Sequence, residues 1–181
     1  MQSDDVQRVF AEADCLYSSA DVSRALDEMA RQMTEVLHGD NPLMLGVVTG
    51  GIIPMGHLMT RLHFPLQMDY MHATRYRGET SGGILKWLTK PHFSLQDRVV
   101  VIVDDILDAG ITLDEIIKYC RAEGASKVYS AVLVEKQRQR PVDIKADFVG
   151  LVSPDRYLFG YGMDYKDYLR NANGIYAVKG M

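Results

Sequence analysis

The chain has 181 residues, of which 47% are hydrophobic and 24% charged, with a formal net charge of −4. This balance is typical of one globular domain with its own core, so we expect a single domain over residues 1–181. The net negative charge argues against a general nucleic-acid binder, which neutralises phosphates with clustered Lys and Arg. The sequence has neither an apolar run of about 18 residues nor a signal-peptide pattern, so we expect a cytoplasmic protein without membrane contact.

Cysteine and histidine spacing predicts neither a disulfide framework nor a metal cluster. Cys15 and Cys120 lie outside any C-x-x-C pattern, and we interpret both as free thiols in a reducing compartment. The histidines are scattered without ligand spacing and are assigned no catalytic or metal role: His38, His57, His63, His72 and His92.

The first half of the chain alternates helix and strand signals. Apolar residues recur at three- and four-residue steps and predict an amphipathic helix near residues 21–37. The continuous apolar run 43–48 predicts a buried strand, which the glycine turn 49–51 connects to a helix over 52–62. Residues 65–76 predict a further strand.

The second half continues the alternation. The polar, Gly-bearing stretch 77–83 predicts a mobile turn before 84–88, and the segments on either side of it, 65–76 and 84–88, could form an arm instead of core. The β-branched run 99–103 is the most apolar in the chain, and a helix should follow it over 112–123. Residues 128–134 and 148–152 predict two more strands.

This order of elements predicts an α/β fold with a mostly parallel, twisted sheet that helices cover on both faces. We expect the core to span about 38–152. The segments 1–20 and 153–181 should form a small cap beside it.

Three carboxylates, Asp104, Asp105 and Asp108, follow the 99–103 run within five residues. Acidic side chains at the carboxyl end of a parallel strand lie at the crevice where open α/β sheets bind ligands. The alternative is that Asp104 and Asp105 only solubilise a strand end and that Asp108 caps the next helix.

The turn 108–112 begins a predicted helix, so its amide groups and the helix dipole converge on one point. Ala109 and Gly110 are small enough for an anion to approach the backbone, and the Thr112 hydroxyl can add a donor. The pattern therefore predicts a phosphate site.

This string resembles the phosphoribosyl pyrophosphate motif of type I phosphoribosyltransferases, in which two acidic residues precede Asp-Thr-Gly-x-Thr. The resemblance implies the type I fold, ribose contacts from Asp104 and Asp105, and Asp108 as general base. It also implies a 5′-phosphate loop formed by Asp108, Ala109, Gly110, Ile111 and Thr112. Two residues depart from the pattern: Asp104 replaces the usual Glu of the hypoxanthine-guanine branch, and Ala109 replaces Thr.

The resemblance to the hypoxanthine-guanine branch continues downstream at the same spacing. It implies that Lys136 contacts the purine 6-oxo oxygen, that Tyr157 stacks on the base and that Leu158 offers its backbone to the base edge. It further implies that Asp164 binds Mg²⁺ together with pyrophosphate oxygens, and that Arg170 meets the pyrophosphate. Taken singly, each of these could be an ordinary surface or packing residue.

Upstream, Gly50 and Gly51 fall where the family has its pyrophosphate loop, although the bare pattern also fits a simple tight turn. Thr49 replaces the Lys or Arg that this loop often carries, which leaves the amides of Gly50 and Gly51 as donors. Tyr76 falls in the mobile arm that closes over the site in the family.

The resemblance implies transfer of ribose 5-phosphate from phosphoribosyl pyrophosphate to hypoxanthine or guanine, with Mg²⁺, by a homodimer or homotetramer. One alternative is a non-catalytic regulator that senses phosphoribosyl pyrophosphate or nucleotides. Such a regulator should carry a basic face or winged helix, which this acidic chain lacks. Another is a phosphoribosyltransferase acting on xanthine or adenine.

Overall fold

The computed structural model describes residues 3–75 and 85–181. Its helices are α1 (Ser3–Glu12), α2 (Ser19–Leu37), α3 (Ile52–Met59) and α4 (Ile111–Ala122). The three predicted helices are thereby confirmed, whereas the sequence pattern missed α1. The start of α2 is fixed by a capping box, in which Ser18 and Asp21 each accept a hydrogen bond from the other's backbone N–H.

Six strands form the main sheet in the order β4-β3-β2-β5-β6-β7, and every neighbouring pair is parallel except β3 and β4. The expected mostly parallel α/β sheet is therefore confirmed. Its strands are β2 (Leu43–Val48), β3 (Gln67–Arg75), β4 (Leu85–Thr89), β5 (Val99–Leu107), β6 (Lys127–Gln137) and β7 (Phe148–Pro154). A second sheet contains β1 (Asp14–Ser18), β8 (Leu158–Phe159) and β9 (Gly174–Ala177).

Two core clusters lie on opposite faces of the main sheet. Successive residues of β5 alternate between them: Val101 packs in the cluster that includes residues of α2 and α3, and Ile102 in the cluster that includes residues of α4. Both side chains are fully buried, which stabilises the fold by roughly 1.5–3 kcal/mol for each. The central strands are apolar on both faces because helices cover both.

Strands β5 and β6 extend beyond the apolar runs that predicted them. Asp104 pairs with Val132, and Leu107 pairs with Glu135, so the acidic pair lies inside the last part of β5 and not after it. Lys136 lies in β6 opposite Ser153 of β7. The parallel ladder thus carries polar side chains to the carboxyl edge of the sheet.

The pair β3 and β4 belongs to the main sheet and does not form a separate arm over its described residues. Ala73 pairs with Trp87, whose ring contacts that of Tyr119 on α4 at a centroid distance of 4.5 Å. The predicted turn over 77–83 lies outside the described residues.

The small sheet joins the two ends of the chain. Strand β9 pairs antiparallel with both β1 and β8, and Phe10 of α1 contacts the rings of Phe159 and Tyr176 at 6.0 and 5.1 Å. The division into a core and a cap within one domain stays a prediction. Cys15 is exposed and Cys120 buried, and both are free thiols. Of the helices in the described ranges, none has the length and apolar character needed to cross a membrane.

Candidate active site

A cavity of about 460 Å³ opens at the carboxyl edge of the main sheet. This is the edge where open α/β sheets bind ligands, and the volume suits a small molecule. Most of the predicted site residues line it: Gly50, Asp104, Asp105, Asp108, Ala109, Gly110, Thr112, Lys136, Tyr157, Leu158, Asp164 and Arg170. Ile111 and Gly51 are described but do not line it, and Tyr76 lies outside the described residues.

Asp104 and Asp105 lie together at one side of the cavity. Asp105 is only 7% exposed and Asp104 is half-buried, so neither is a solvated strand end. Burial raises the pKa of both carboxyl groups, and the neighbouring charge of Asp105 raises the pKa of Asp104 further, whereas Arg170 acts in the opposite direction. Two acids held out of water in an open cavity cost stability until a ligand satisfies them.

The turn after β5 begins α4 at Gly110, which has φ 79° in the left-handed region. A Cβ atom at this position would lie 2.5 Å from Cγ2 of Ile144. Glycine is therefore required at this position by backbone conformation and by packing. The helix cap is Gly110 and not Asp108, which excludes the alternative that Asp108 serves only as a capping residue.

Lys136 on β6 also lines the cavity, with its side chain only 10% exposed. Its Nζ is 3.5 Å from Oδ2 of Asp108 and 3.7 Å from Oδ1 of Asp155. Arg138 Nη1 lies 2.7 Å from Oδ1 of Asp108 and 3.4 Å from Oδ1 of Asp155. We call these four residues the charge cluster. Arg138 and Asp155 were not predicted as site residues, and for Arg138 the available signal was its position two residues beyond Lys136.

Arg140 connects the turn 108–112, which we call the phosphate turn after its predicted ligand, to the end of β6. Its Nε donates to the carbonyl of Asp108 at 3.0 Å, and its Nη2 donates to the carbonyl of Lys136 at 2.7 Å. Nη1 forms an ion pair with Glu135 at 3.0 Å. One guanidinium therefore ties the backbone of the turn after β5 to the backbone of β6, a role that the sequence pattern did not reveal.

The segment after β7 supplies the aromatic wall. Tyr157 is 39% exposed at the cavity, and its ring contacts that of Tyr165 edge to face at 5.6 Å. Leu158 is buried and pairs with Ala177 in the small sheet. The ring of Tyr157 therefore presents a supported but accessible face.

Arg170 and Asp164 close the cavity from the C-terminal side. Arg170 Nη2 lies 2.8 Å from Oδ1 of Asp164, and its Nη1 donates to the carbonyl of Gly162 at 2.6 Å. The second oxygen of Asp164 accepts a hydrogen bond from the Asp167 amide at 2.8 Å. The arginine thus fixes the turn that carries the acid.

The predicted donor role of the Gly51 amide is wrong, because that N–H donates to the carbonyl of Val47 at 2.8 Å and closes the turn. Gly50 does line the cavity, and a Cβ there would lie 2.1 Å from Oδ2 of Asp105. A Cβ on Gly162 would lie 2.1 Å from the carbonyl oxygen of Gly50. Gly50, Gly162 and Asp105 therefore pack against one another without room for a methyl group.

Comparison with known proteins finds similar sequences and a similar solved structure. The hypoxanthine-guanine phosphoribosyltransferase of Bacillus subtilis is 31% identical over 180 residues, covering 99% of this chain and 97% of that protein. The bifunctional protein TilS/HprT of Listeria monocytogenes is 33% identical over 97% of this chain, which spans only 26% of that longer protein. A crystal structure of a hypoxanthine phosphoribosyltransferase from Staphylococcus aureus superimposes with a TM-score of 0.87 at 28% identity, covering 92% of this chain and 91% of that one.

The family comparison covers most of the sequence. The profile of the phosphoribosyl transferase domain matches residues 13–167. This range includes the acidic pair, the phosphate turn and the charge cluster. Sequence, fold and site geometry agree, and the chain belongs to the phosphoribosyl transferase family.

Proposed function

We propose that the chain transfers ribose 5-phosphate from phosphoribosyl pyrophosphate to hypoxanthine or guanine, which yields IMP or GMP and pyrophosphate. One observation carries the proposal. The turn before α4, suited to an anion, and the buried amine of Lys136, suited to a carbonyl oxygen, face the same cavity of about 460 Å³. A site with both features can hold a sugar phosphate and a 6-oxopurine side by side.

The sugar phosphate binds at the start of α4. The first-turn amides of a helix have no carbonyl partner within that helix, and with the dipole they favour a phosphate. Ala109, Gly110 and Thr112 line the cavity at this point. Asp104 and Asp105 accept hydrogen bonds from the ribose hydroxyls, which replaces part of the hydration that burial removes from these carboxylates.

The base binds between Tyr157 and Lys136. The exposed face of Tyr157 stacks on the purine, and the backbone of Leu158 meets the base edge. The ammonium group of Lys136 can donate but cannot accept, so it suits the 6-oxo oxygen of hypoxanthine or guanine and not the 6-amino group of adenine.

Asp108 acts as the general base. Its carboxylate takes the proton from N7 of the purine while N9 forms a bond to C1′ of the ribose. The bond from C1′ to the pyrophosphate oxygen breaks, and its electron pair leaves with pyrophosphate. Positive charge that develops on the ribose is stabilised by the nearby carboxylates of Asp104 and Asp105. Arg170 lines the cavity and interacts with the departing pyrophosphate.

The residues present fit a Mg²⁺ ion that is held mainly by substrate oxygens. Within residues 3–75 and 85–181, no group of three or more His, Cys, Asp or Glu side chains could hold a metal by itself. Mg²⁺ is commonly bound by one or two carboxylates plus substrate phosphates, and Asp164 supplies a carboxylate at the cavity. When bound, the ion neutralises negative charge on the pyrophosphate. As part of the proposal, the chain acts as a homodimer or homotetramer.

A spectrophotometric assay with hypoxanthine, guanine, xanthine and adenine tests the proposal. With phosphoribosyl pyrophosphate and Mg²⁺, we expect turnover of hypoxanthine or guanine on the order of 1–1000 per second, and loss of turnover on chelation with EDTA. Adenine should react at least about a hundredfold more slowly, because its amino group leaves Lys136 without an acceptor. No turnover with any of the four bases would contradict the proposed function.

A matched pair of lysine variants tests the base contact. Lys136→Gln should lower kcat/KM for hypoxanthine by at least about tenfold, since it removes a charged hydrogen bond at a buried position. Lys118→Gln is the control, because Lys118 is 61% exposed on α4 and pairs with Asp114 and Glu115 there. Equal activity of the two variants would refute the role of Lys136.

A further inference from the structure

Arg138 is the cation of the charge cluster that borders the proposed machinery without a role in it. Asp108 is the proposed base, Lys136 the proposed contact to the purine, and Asp155 pairs with both cations. The Arg138 side chain is 34% exposed, less than the 56–70% typical of the surface arginines Arg24 and Arg31. Its position is therefore set by the cluster and not by solvent.

The two oxygens of Asp108 are held unequally. Arg138 Nη1 donates to Oδ1 at 2.7 Å, which is the length of a charge-assisted hydrogen bond. Lys136 Nζ is 3.5 Å from Oδ2, beyond ordinary hydrogen-bond length. The carboxylate is thus fixed through one oxygen, while the other faces the amine of Lys136 without a close bond.

This asymmetry has a chemical consequence for the proposed reaction. A general base needs one oxygen within hydrogen-bond reach of the proton it removes, and a rigid orientation of that oxygen. The amine of Lys136 must also keep a donor for the 6-oxo oxygen. If Asp108 lost its bond to Arg138, its full charge would attract Lys136, and a close ion pair would occupy both groups.

Asp155, in the bend directly after β7, completes the arrangement. It lies 3.4 Å from Arg138 and 3.7 Å from Lys136, so two cations and two carboxylates balance within the cluster. Lys136 and Arg138 each interact with both Asp108 and Asp155. The charge of Lys136 is therefore neutralised by two acids and not by Asp108 alone. This balance holds Arg138 against Asp108 and holds Lys136 back from it.

We propose that Arg138 is a positioning residue, which orients Asp108 through Oδ1 and keeps Asp108 and Lys136 apart so that both meet the purine. The inference rests on the proposed function, since it assigns those partners their tasks. Arg138 acts through Asp108 and Lys136, whereas the sugar-phosphate side of the cavity does not depend on it.

Steady-state kinetics of Arg138→Gln, Arg138→Lys and a control test this inference. We expect Arg138→Gln to lower kcat/KM for hypoxanthine by about 10- to 100-fold, while KM for phosphoribosyl pyrophosphate stays within about twofold. Arg138→Lys should recover part of the loss because it restores a cation beside Oδ1. The control, Arg31→Gln, removes an arginine that pairs with Glu28 and Glu35 on the exposed side of α2, and its kinetics should match wild type.

Calorimetry separates positioning from a structural role and from failure of the proposed function. Arg138→Gln should weaken binding of IMP by about tenfold without weakening binding of ribose 5-phosphate, because only IMP carries the 6-oxo group that Lys136 contacts. If Arg138→Gln left the ratio of the two affinities unchanged, whether neither affinity fell or both fell equally, the inference would be overturned. A wild-type protein that turns over no base would instead overturn the proposed function, whatever the two affinities of the variant show.

Discussion

The two sides of the cavity place charge differently. The sugar side, Asp104 and Asp105, is proposed to bind the ribose, and the base side, the charge cluster, is proposed to bind the purine. On the sugar side, Asp104 and Asp105 lie together at the end of β5, and burial raises the pKa of both. On the base side, Asp108 and Asp155 each lie between 2.7 and 3.7 Å from a cationic nitrogen. The sugar side therefore holds charge that burial disfavours, and the base side holds charge that is already paired.

This difference indicates how each side contributes to the proposed reaction. Ribose hydroxyls relieve the burial of the acidic pair, so part of the affinity for the sugar comes from a cost that the empty protein carries. The base side gains little from new charge contacts and contributes orientation instead. Changes on the base side should therefore reduce turnover, and changes on the sugar side should alter stability and sugar binding.

Asp108→Asn removes the proposed general base and has the largest expected effect on turnover. It should reduce kcat with hypoxanthine by at least about a hundredfold, because an amide cannot accept the N7 proton. Affinity for phosphoribosyl pyrophosphate, measured by calorimetry, should change by less than about threefold, since the acidic pair is untouched. Asp40→Asn, in an exposed turn after α2, is the control. Near-normal turnover of Asp108→Asn would remove Asp108 as the base.

Gly162→Ala tests the packing next to Asp105 on the sugar side. Its Cβ would lie 2.1 Å from the carbonyl oxygen of Gly50, at φ 109°, so the turn that bears Asp164 must shift away from Gly50. We expect a loss of about 1–3 kcal/mol in the free energy of unfolding, or several degrees in Tm. KM for phosphoribosyl pyrophosphate should also rise.

The matched control for this change is Gly56→Ala. Gly56 lies within α3, and a Cβ there would meet nothing within 4 Å. Alanine should therefore stabilise the helix by about 0.5–1 kcal/mol. If denaturant unfolding showed the same change in both variants, the tight contact of Gly162 with Gly50 would not matter for stability.

Asp104→Asn tests how much the burial of the Asp104 carboxylate costs in stability, through the pH dependence of Tm. Because the pKa of Asp104 is raised in the folded protein, its contribution favours folding below the unfolded pKa of about 3.9 and is lost as pH rises through the folded value. The variant should exceed wild type in Tm by about 2–4 °C at neutral pH, the shift for roughly 1 kcal/mol, and the gain should vanish near pH 3.5. A gain that does not change with pH would contradict the burial cost.

The sugar side was predictable from sequence because it is local. One apolar strand, an acidic pair and a glycine before a helix lie next to each other in the chain, and the structure brings them together through a single turn. The Gly51 amide was assigned wrongly since sequence does not reveal that it bonds to Val47. Helix α1 was missed, as its short amphipathic pattern was not recognised in the N-terminal segment.

The base side depends on distant strands, and sequence alone reveals less of it. Lys136 pairs with Ser153 and Gln137 with Pro154, so the next step along both strands brings Arg138 beside Asp155. The register of two parallel strands cannot be derived from their apolar pattern, because several registers bury the same side chains. Family resemblance supplied the expected roles of Lys136 and its partners, but it gave no indication of Arg138.

Thiol labelling is expected to show the smallest effect. It tests whether α4, and with it the phosphate turn, stays packed against the sheet in the native protein. Burial, with a lesser contribution from Glu123, raises the pKa of Cys120 on α4 to about 12, so only about one thiolate in ten thousand chains exists at pH 8. Cys15, exposed on β1, is the internal reference. We expect an aromatic disulfide reagent to modify one thiol quickly and the second only on unfolding, and Cys15→Ser to abolish the fast phase.

Two equally fast thiols in the native chain would mean that α4 separates from the sheet. The helix that follows the phosphate turn would then leave its place many times during each experiment. In that case Asp104 and Asp105 would not be held in fixed positions beside the turn. The contrast between the buried acids of the sugar side and the paired charges of the base side would then fail. Slow labelling of Cys120, unchanged by ribose 5-phosphate, would show that the turn is formed before any ligand binds.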